Sequence, residues 1–361
     1  MAATIYAACR MKKPLMPMGE LGLIEQIRHS FATTSKAVSL GIGDDCAILR
    51  PPPRSEVVVT TDFTLEGRHF LRDLHPPESV GHRCLTRGLS DLAAMGATPL
   101  AAFLSLALPA TMLAESSGRA WIERFFRGLQ ALSEMHRVPL AGGDTAESPG
   151  GKNALIFADI VLIGTAPKRE ALRRSGANAG DVLYVTGQLG GAAAELSAML
   201  QRPRRILKSA TTEDHPHLFP EPRLDAGEAL LRRRLATACI DLSDGLSTDL
   251  THLCRASGVC AEIDQSALPI HPLARKLGAA AALRAALHGG EDYELLFAAP
   301  SSVLMPASLA GVPITRIGSF KKRRSGVPLI TMLKLDGSRA ELKPGGWEHF
   351  SGAARSRKKK R

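Results

Sequence analysis

Short runs of apolar and β-branched residues that end on an aspartate recur along this chain. Ala236–Ile240 leads into Asp241 and Asp244, and Val57–Val59 leads through two threonines into Asp62. Further aspartates follow glycines or lie late in a helical pattern, namely Asp45, Asp91 and Asp144. An unpaired carboxylate at the end of a buried strand costs on the order of a few kcal/mol unless a cation or hydrogen-bond donors compensate it. The pattern therefore predicts that these aspartates gather around bound cations.

Not every aspartate needs a cation. Asp244 precedes a helical pattern and is explained equally well as a helix N-cap, and Asp144 after two glycines suits an ordinary turn. Asp241 has apolar residues on both sides, which an N-cap does not explain. Asp91 lies in the last turns of its helix, where the helix dipole disfavours negative charge. Arg87 precedes it by four residues, the weaker orientation for a helical ion pair.

The donor chemistry indicates which cation this is. The candidates offer carboxylate and hydroxyl oxygens, including those of Thr60 and Thr61, and the eleven histidines do not cluster with the cysteines. Hard oxygen donors favour Mg²⁺ over zinc. A Mg²⁺ site built from several carboxylates most often serves phosphates. The chain has neither a Walker-type phosphate loop nor the catalytic-loop signature of protein kinases.

Length and composition indicate a globular protein. A chain of 361 residues suggests about two domains. It contains 45% hydrophobic and 22% charged residues, and no run reaches the roughly 20 apolar residues of a membrane span. We find no secretory signal, and Met16 or Met18 is an alternative start. Six cysteines without a Cys-x-x-Cys pair predict reduced thiols in the cytoplasm.

The net charge of +11 is concentrated at one end of the chain. Residues 355–361 carry six positive charges, so they form a basic tail. Such a tail can contact nucleic acid or an anionic surface. We expect a solvated end and no nucleic-acid partner, because no aromatic residues interleave with the charges.

Apolar periodicity predicts alternating helices and strands in two rounds, with a boundary near Ala166 and Pro167. The predicted helices are Leu21–Phe31, Glu78–Met95, Trp121–Met135, Gly191–Leu200, Leu224–Leu235, Leu246–Ser257 and Pro272–Leu287. The predicted strands are Gly41–Leu49, Val57–Asp62, Leu100–Leu108, Val138–Ala141, Ala154–Gly164, Val182–Val185, the run into Asp241, Val259–Ile263 and Glu294–Ala298. The order is not a strict strand–helix alternation, which favours a mixed α+β fold over a doubly wound sheet.

We expect Val57–Asp62 to be buried on both faces, with Asp62 at its end. We expect residues 201–222 to form an irregular loop. Near the C-terminus, Lys321–Arg324 is predicted to be a basic turn before a short pair of strands.

Seven blocks of this chain, taken together and in order, resemble thiamine-monophosphate kinases. They are GIGDDCA at 41–47, TTDFTLEGRHF at 60–70, LSDLAAMGA at 89–97, GGDT at 142–145, RSGA at 174–177, DLSDG at 241–245 and GGEDYEL at 289–295. The resemblance implies the two-domain fold of the aminoimidazole-ribonucleotide-synthetase-like superfamily. It implies residues 1–19 as an extension, 20–165 as a dimerising domain that binds ATP and Mg²⁺, 166–350 as a C-terminal α/β domain and 351–361 as the tail.

The resemblance also implies roles for individual residues. Several Mg²⁺ ions would be bound by Asp45, Thr60, Thr61, Asp62, Asp91, Asp144, Asp241 and Asp244. ATP would be contacted by Gly143, Asp144, Arg174 and Ser243. Thiamine monophosphate would be contacted by His69, Glu291 and Trp347. The implied reaction is direct transfer of the ATP γ-phosphoryl group to thiamine monophosphate in a homodimeric enzyme, with no catalytic base.

Three alternatives stay open at this point. A sister enzyme of the same superfamily, such as a purine-pathway or selenophosphate-forming synthetase, would share the ATP site. A nucleic-acid-binding protein would use the basic tail. A catalytically silent nucleotide-binding scaffold would not need the full set of acidic residues.

Overall fold

The computed structural model describes residues 19–31, 35–201, 215–348 and 350. These residues form two compact units. The first consists of the chain up to Ala171 together with Ala198–Arg232, and the second of Leu172–Ser197 together with the chain from Arg233 onward. In the part of the chain that the structure describes, no helix is sufficiently long and apolar to cross a membrane. The predicted extension, the basic tail, Cys9 and the centre of the 201–222 loop lie outside the described residues.

The helices follow the apolar periodicity of the sequence closely. They are α1 Glu20–Ser30, α2 Pro77–Ala94, α3 Ala110–Ala114, α4 Ser116–Met135, α5 Gly191–Gln201, α6 Leu224–Arg232, α7 Leu246–Ser257, α8 Pro272–Arg275 and α9 Ala279–His288. Pro77 begins α2, where its missing N–H is no loss. Gly258 ends α7 in the left-handed conformation that favours glycine. The predicted helix Pro272–Leu287 is wrong as a single element, because the chain turns at Gly278 with φ +88°.

The strands fall into two main sheets and one short pair. They are β1 Val38–Leu40, β2 Ile48–Leu49, β3 Ser55–Leu65, β4 Thr98–Leu108, β5 Leu140–Glu147, β6 Phe157–Pro167, β7 Val182–Thr186, β8 Ala238–Asp241, β9 Val259–Asp264, β10 Leu295–Ala299, β11 Ser308–Leu309, β12 Val312–Lys322, β13 Ile330–Leu333 and β14 Arg339–Glu341. The predicted strand Gly41–Leu49 is largely a turn between β1 and β2, and only its last two residues pair with β1.

The first unit contains a four-stranded sheet in the order β3-β6-β4-β5. The β3–β6 and β6–β4 pairs are antiparallel and the β4–β5 pair is parallel. Helix α2 packs on β3 and β6, and α4 packs on α2. Leu85, Leu89 and Phe125 are fully buried in this layer. The helices therefore cover one face of the sheet.

The prediction that Val57–Asp62 is buried on both faces is wrong. Strand β3 has 11 residues, and every second side chain faces away from the helices. Val57, Val59 and Phe63 on that outer face are 53%, 60% and 60% exposed. Asp62 does not end the strand, because it pairs with Ile160 in the middle of β3. The β-branched run that suggested a buried strand thus belongs to a sheet with one open face.

The second unit contains an eight-stranded sheet in the order β14-β13-β9-β12-β7-β10-β8, with β11 paired to β12. All pairs are antiparallel except β13 with β9. Strand β12 was not predicted, and it contains Lys321 and Lys322 of the predicted basic turn. A core cluster that includes Leu250, Leu296 and Phe320 joins this sheet to α7. Strand β8 lies at the sheet edge, and Asp241 is its last residue.

Cys46, Cys84, Cys239, Cys254 and Cys260 are free thiols. The expectation of reduced cysteines is therefore confirmed for the five that the structure describes. Burial raises the pKa of the Cys84 thiol to about 12. Such a protonated, buried sulfur behaves as a small apolar group.

Candidate active site

In the first unit, the inner face of β3 meets α2 at a pair of carboxylates. Thr60 and Asp62 are two residues apart, so both point toward the helix. The Thr60 hydroxyl donates a hydrogen bond to Asp91 of α2. Arg87, one helical turn before Asp91, places its Nε 3.5 Å from Asp62 Oδ1. Arg87, which lies four residues before Asp91, therefore contacts Asp62 of the neighbouring strand.

The electrostatics of this cluster follow from its partial burial. Burial raises the pKa of Asp62 to about 6, the Arg87 guanidinium opposes the rise, and the Asp91 carboxylate adds to it. Two carboxylates this close disfavour the doubly charged state unless cations neutralise both. One arginine offsets part of that charge. The cluster therefore has residual negative charge that a divalent cation would stabilise.

Thr61 occupies the other face of β3. Its hydroxyl donates to Asp159 Oδ1 at 2.7 Å, on the open side of the sheet. Strand alternation thus separates the Thr61 side chain from those of Thr60 and Asp62. The structure does not bring the Thr61 hydroxyl to Asp91, and sequence reasoning missed its partner Asp159.

Gly143 and Asp144 lie within β5 beside a cavity of about 140 Å³. The cavity is lined by Ile24 and Ile27 of α1 and by residues of β4 and β5. A Cβ at position 143 would stand 1.9 Å from the Leu104 carbonyl oxygen, so the close β4–β5 approach requires glycine here. Asp144 is exposed, and its Oδ1 accepts the Thr145 N–H at 3.0 Å. The pair predicted to contact ATP thus borders an apolar recess.

Asp45 lies in the turn between β1 and β2. Its side chain is exposed, and its backbone N–H donates to Asp44 Oδ1 at 2.8 Å. This places Asp45 on a surface turn, whereas Asp62 and Asp91 lie between a strand and a helix.

His69 lies in the turn that follows β3. Its Nδ1 accepts the Leu65 N–H at 2.9 Å, and its carbonyl oxygen accepts a hydrogen bond from Arg83 at 2.8 Å. Both bonds fix the residue in the first unit. The ring is half-buried.

In the second unit, three carboxylates surround the start of α7. Asp241 is buried at the end of β8, and Asp244 follows in the connecting turn. Asp249 in the first turns of α7 is buried, and its Oδ2 accepts the N–H groups of Asp244 and Gly245 at 3.1 and 3.0 Å. Burial, followed by the charges of Asp241 and Asp244, raises the pKa of Asp249 to about 8. This concentration of negative charge also favours a bound cation.

The loop 289–294 is joined to this turn by backbone hydrogen bonds. Glu291 N–H donates to Ser243 O at 2.8 Å, and Tyr293 N–H donates to Leu242 O at 2.9 Å. A Cβ at Gly290 would stand 2.6 Å from Ser243 O, which explains the glycine. Glu291 and Tyr293 have φ values of +66° and +51°, a conformation that costs roughly 1 kcal/mol per residue. The hydrogen bonds hold the loop in this strained form beside Ser243.

Trp347 adjoins the same turn. Its N–H donates to Asp244 O at 3.1 Å, and its side chain is 49% exposed. The structure thus brings Ser243, Asp244, Glu291 and Trp347 together in one unit. Arg174 is placed elsewhere in that unit, where its carbonyl accepts a hydrogen bond from Ser257 at the far end of α7.

The described residues contain no group of three or more histidine, cysteine, aspartate or glutamate side chains arranged to hold a metal ion. Mg²⁺, however, is usually bound through one or two carboxylates together with water and substrate phosphates. The oxygen donors of Asp62 and Asp91 in the first unit, and of Asp241 and Asp244 in the second, fit that mode.

Asp249 is the site residue that sequence reasoning missed most clearly. The signal was present, because an aspartate in the first turn of a helix complements the helix dipole and accepts N–H groups from the preceding turn. Asp159 offered no comparable signal. It contacts Thr61 only through the pairing of β3 with β6.

Two family models match most of the chain. Residues 43–166 match the N-terminal domain of AIR synthase related proteins. Residues 178–313 match the C-terminal domain of AIR synthase related proteins. The fold is therefore that of an AIR synthase related protein.

Comparison with individual proteins assigns the chain to one family within this class. The chain is 38% identical to the thiamine-monophosphate kinase of Salmonella typhimurium, over 93% of this chain and 99% of that protein. It is 32% identical to the Bacillus subtilis thiamine-monophosphate kinase, over 92% and 100%. The chain belongs to the thiamine-monophosphate kinase family.

Solved structures agree with this assignment. The thiamine-monophosphate kinase of Stenotrophomonas maltophilia is 36% identical with a TM-score of 0.74, covering 88% of this chain and 96% of that one. The complex of AaThiL with AMPPCP and TMP is 31% identical with a TM-score of 0.69, covering 94% and 100%. The two-domain synthetase-like fold expected from the sequence is confirmed.

Proposed function

We propose that this protein transfers the γ-phosphoryl group of ATP to thiamine monophosphate and forms thiamine diphosphate. The proposal rests on the similarity of this chain to thiamine-monophosphate kinases over almost their whole length. The relative bound to AMPPCP and TMP supports ATP as the donor and thiamine monophosphate as the acceptor. The acidic clusters at Asp62 and Asp241 supply the chemistry that such a pair of phosphates requires.

The acceptor determines what the residues must do. A phosphate monoester is anionic near neutral pH, so no base has to remove a proton before it attacks. The barrier comes from bringing two anions together in line, and positioning with charge neutralisation lowers it. We therefore assign no catalytic base. Bound Mg²⁺ would neutralise the phosphate oxygens and orient the γ-phosphoryl group.

The ligands proposed for Mg²⁺ differ in how well the geometry supports them. Asp62, Asp91, Asp241 and Asp244 have the strongest support because they lie in clusters with excess negative charge. Thr60 touches Asp91 and would orient it. We propose Asp45, Thr61 and Asp144 as Mg²⁺ ligands on the family resemblance alone.

The substrate contacts are proposed by position. Gly143, Asp144, Arg174 and Ser243 would contact ATP, and His69, Glu291 and Trp347 would contact thiamine monophosphate. Glu291 is an anion suited to the cationic thiazolium ring, and the exposed indole of Trp347 can stack on it. The strained loop that holds Glu291 beside Ser243 supports the placement of both.

We further propose a homodimer that acts in the cytoplasm. Val57, Val59 and Phe63 form an apolar stripe on the open face of the first sheet. Exposed apolar side chains grouped on one face often mark an interface, and the family resemblance implies that the domain carrying this sheet forms the dimer. Phe63→Glu should convert the dimer to a monomer in analytical ultracentrifugation. A variant that remains dimeric would contradict this interface.

The function is tested by incubating the full chain with ATP, Mg²⁺ and thiamine monophosphate, and by measuring thiamine diphosphate with chromatography. We expect one thiamine diphosphate for each ADP formed and no product without Mg²⁺. Thiamine and AMP serve as alternative acceptors. Absence of thiamine diphosphate, or ADP release independent of the acceptor, would refute the proposal.

A further inference from the structure

The turn that carries His69 is stabilised by more hydrogen bonds than a surface turn needs. Arg68 and His69 donate their N–H groups to Leu65 O at 3.2 and 2.8 Å, and Gly67 N–H donates to Phe70 O at 2.8 Å. The chain therefore folds back tightly directly after β3. Side-chain contacts add to this backbone framework.

The protonation of the His69 ring is fixed by its neighbour. A backbone N–H can only donate, so the bond from Leu65 N–H requires Nδ1 to be the acceptor. The ring proton of neutral His69 must therefore lie on Nε2. The ring consequently presents a hydrogen-bond donor on its other side, and a donor suits an anionic oxygen.

Glu66 anchors the start of this turn. Its two carboxylate oxygens accept Nε and Nη2 of Arg72, both at 2.8 Å, in a bidentate pair. Its Oε2 also accepts the Ile156 N–H at 2.9 Å, and its own N–H donates to Ile156 O at 3.0 Å. The Glu66 side chain is only 9% exposed. The Ile156 bonds thus attach the turn to the segment before β6, and the two charge-assisted bonds from Arg72 tie it to the residues that follow it.

Arg83 holds the end of the turn. It is 3% exposed, and its Nη1 donates to the His69 carbonyl at 2.8 Å. Burying a guanidinium costs free energy unless hydrogen bonds compensate it, so the bond to the His69 carbonyl helps to stabilise Arg83 in this position. Glu66 therefore fixes the start of the turn, and Arg83 fixes its end through the His69 carbonyl.

We infer that Glu66, through its bidentate pair with Arg72, is a positioning residue that aims the Nε2–H of His69 at the acceptor substrate's phosphate. The inference rests on the proposed function, in which His69 contacts thiamine monophosphate. Neither Glu66 nor Arg72 touches substrate in this assignment. They act by fixing the turn, while the Leu65 N–H fixes the histidine tautomer.

The test is a double-mutant cycle on the full chain with His69→Gln, Glu66→Gln and the combined variant. The side-chain amide of glutamine places an NH2 group against an N–H of the Arg72 guanidinium, so one of the two hydrogen bonds of the bidentate pair is lost. We expect each single variant to raise KM for thiamine monophosphate about tenfold with KM for ATP unchanged, because losing or misdirecting one hydrogen bond to the phosphate weakens the binding of that substrate alone. The combined variant should be no worse than His69→Gln alone.

The outcomes separate the inference from the proposed function. If the wild-type protein forms no thiamine diphosphate, the proposed function fails and the inference fails with it. If it is active but His69→Gln leaves KM for thiamine monophosphate unchanged, only the inference is overturned. Additive effects of the two single variants, or an equal rise in KM for ATP, would also overturn it.

Two further variants guard against a folding artefact. Arg72→Lys keeps the positive charge but cannot form the bidentate pair, and it should raise KM for thiamine monophosphate in the same direction as Glu66→Gln. Glu78→Gln breaks a matched ion pair of the same unit, in which Arg124 Nε lies 2.8 Å from Glu78 Oε1. It should leave both KM values at the wild-type level. If Arg72→Lys and Glu78→Gln behave alike, the proposal is wrong.

Discussion

The two units hold their acidic clusters by different means. In the first, Asp62 of β3 faces Arg87 and Asp91 of α2, so side chains from separate elements set the local charge. In the second, Asp241 and Asp244 are three residues apart, and Asp249 holds their turn through backbone N–H groups. A cation can displace an arginine side chain without altering the fold. It cannot displace the backbone donors of the second cluster unless the turn unfolds.

The largest expected effect is common to both clusters. Asp62→Asn and Asp241→Asn should each reduce kcat about 1000-fold or more, because each removes a charge that would bind Mg²⁺ while keeping the side-chain volume. The measurement is thiamine diphosphate formation at saturating Mg²⁺, with circular dichroism to confirm folding. Asp264→Asn is the matched control, since Asp264 also ends a strand of the second sheet but caps a surface turn. Near-wild-type activity of either site variant would refute its metal assignment.

A smaller effect distinguishes the two clusters. Arg87→Met should lower the free energy of unfolding by about 2 kcal/mol without Mg²⁺, because it leaves Asp62 without its arginine in a partly buried site. Mg²⁺ should then stabilise this variant more than the wild-type protein, since cation and arginine compensate the same carboxylate. Urea titrations with and without Mg²⁺ measure both quantities.

The control for that experiment is an exposed ion pair of the second unit. Arg339 Nη1 lies 3.2 Å from Glu262, and the Arg339 side chain is 65% exposed. Arg339→Met should change stability by about 0–1 kcal/mol and leave the Mg²⁺ response unchanged. An equal Mg²⁺ response in wild type and Arg87→Met would show that Arg87 does not compensate the metal-binding charge.

The contrast between the clusters explains what the sequence could predict. The second cluster is nearly contiguous, so a strand end, two aspartates and a helix start were visible in 241–245. The first cluster depends on strand alternation, which places the side chains of Thr60 and Thr61 on opposite faces of the sheet. The sequence pattern also does not indicate that β3 continues past Asp62. The contact between Arg87 and Asp62 was not predicted for the same reason, because residue spacing on a helix does not account for the neighbouring strand.

Fold prediction failed where the local pattern was ambiguous. Strand β12 mixes polar and apolar residues over Val312–Lys322, and its burial comes from neighbours β7 and β9 rather than from its own composition. The break at Gly278 interrupts a helical pattern that continues on both sides. In both places tertiary packing, which a single sequence does not display, decides the structure.

The smallest effect concerns buried ionisable groups outside the clusters, which respond to pH in opposite directions. In the first unit, burial lowers the pKa of His82 to about 4, and His136 and Arg83 lower it further against the hydrogen bond to Pro220 O. In the second, burial raises the pKa of Asp292 to about 7, aided by Glu294 and opposed by N–H groups at the start of α5.

The signs follow from proton binding in the folded and unfolded chains. Unfolded histidine takes up a proton near pH 6.5, whereas His82 resists until about pH 4, so its contribution is lost as pH falls through that window. Unfolded aspartate ionises near pH 3.8, whereas Asp292 keeps its proton until about pH 7, so its contribution is lost as pH rises through that window. Between pH 5 and 7.5 the contribution of each group to the free energy of unfolding changes by about 2 kcal/mol.

His82→Gln should therefore reduce the loss of stability that acidification causes, and Asp292→Asn should reduce the loss that alkalinisation causes. Both are measured by urea unfolding at pH 5 and pH 7.5. Unchanged slopes would mean that neither group keeps its uncharged form in the folded protein, whereas a slope altered in only one variant would place the pH sensitivity in a single unit.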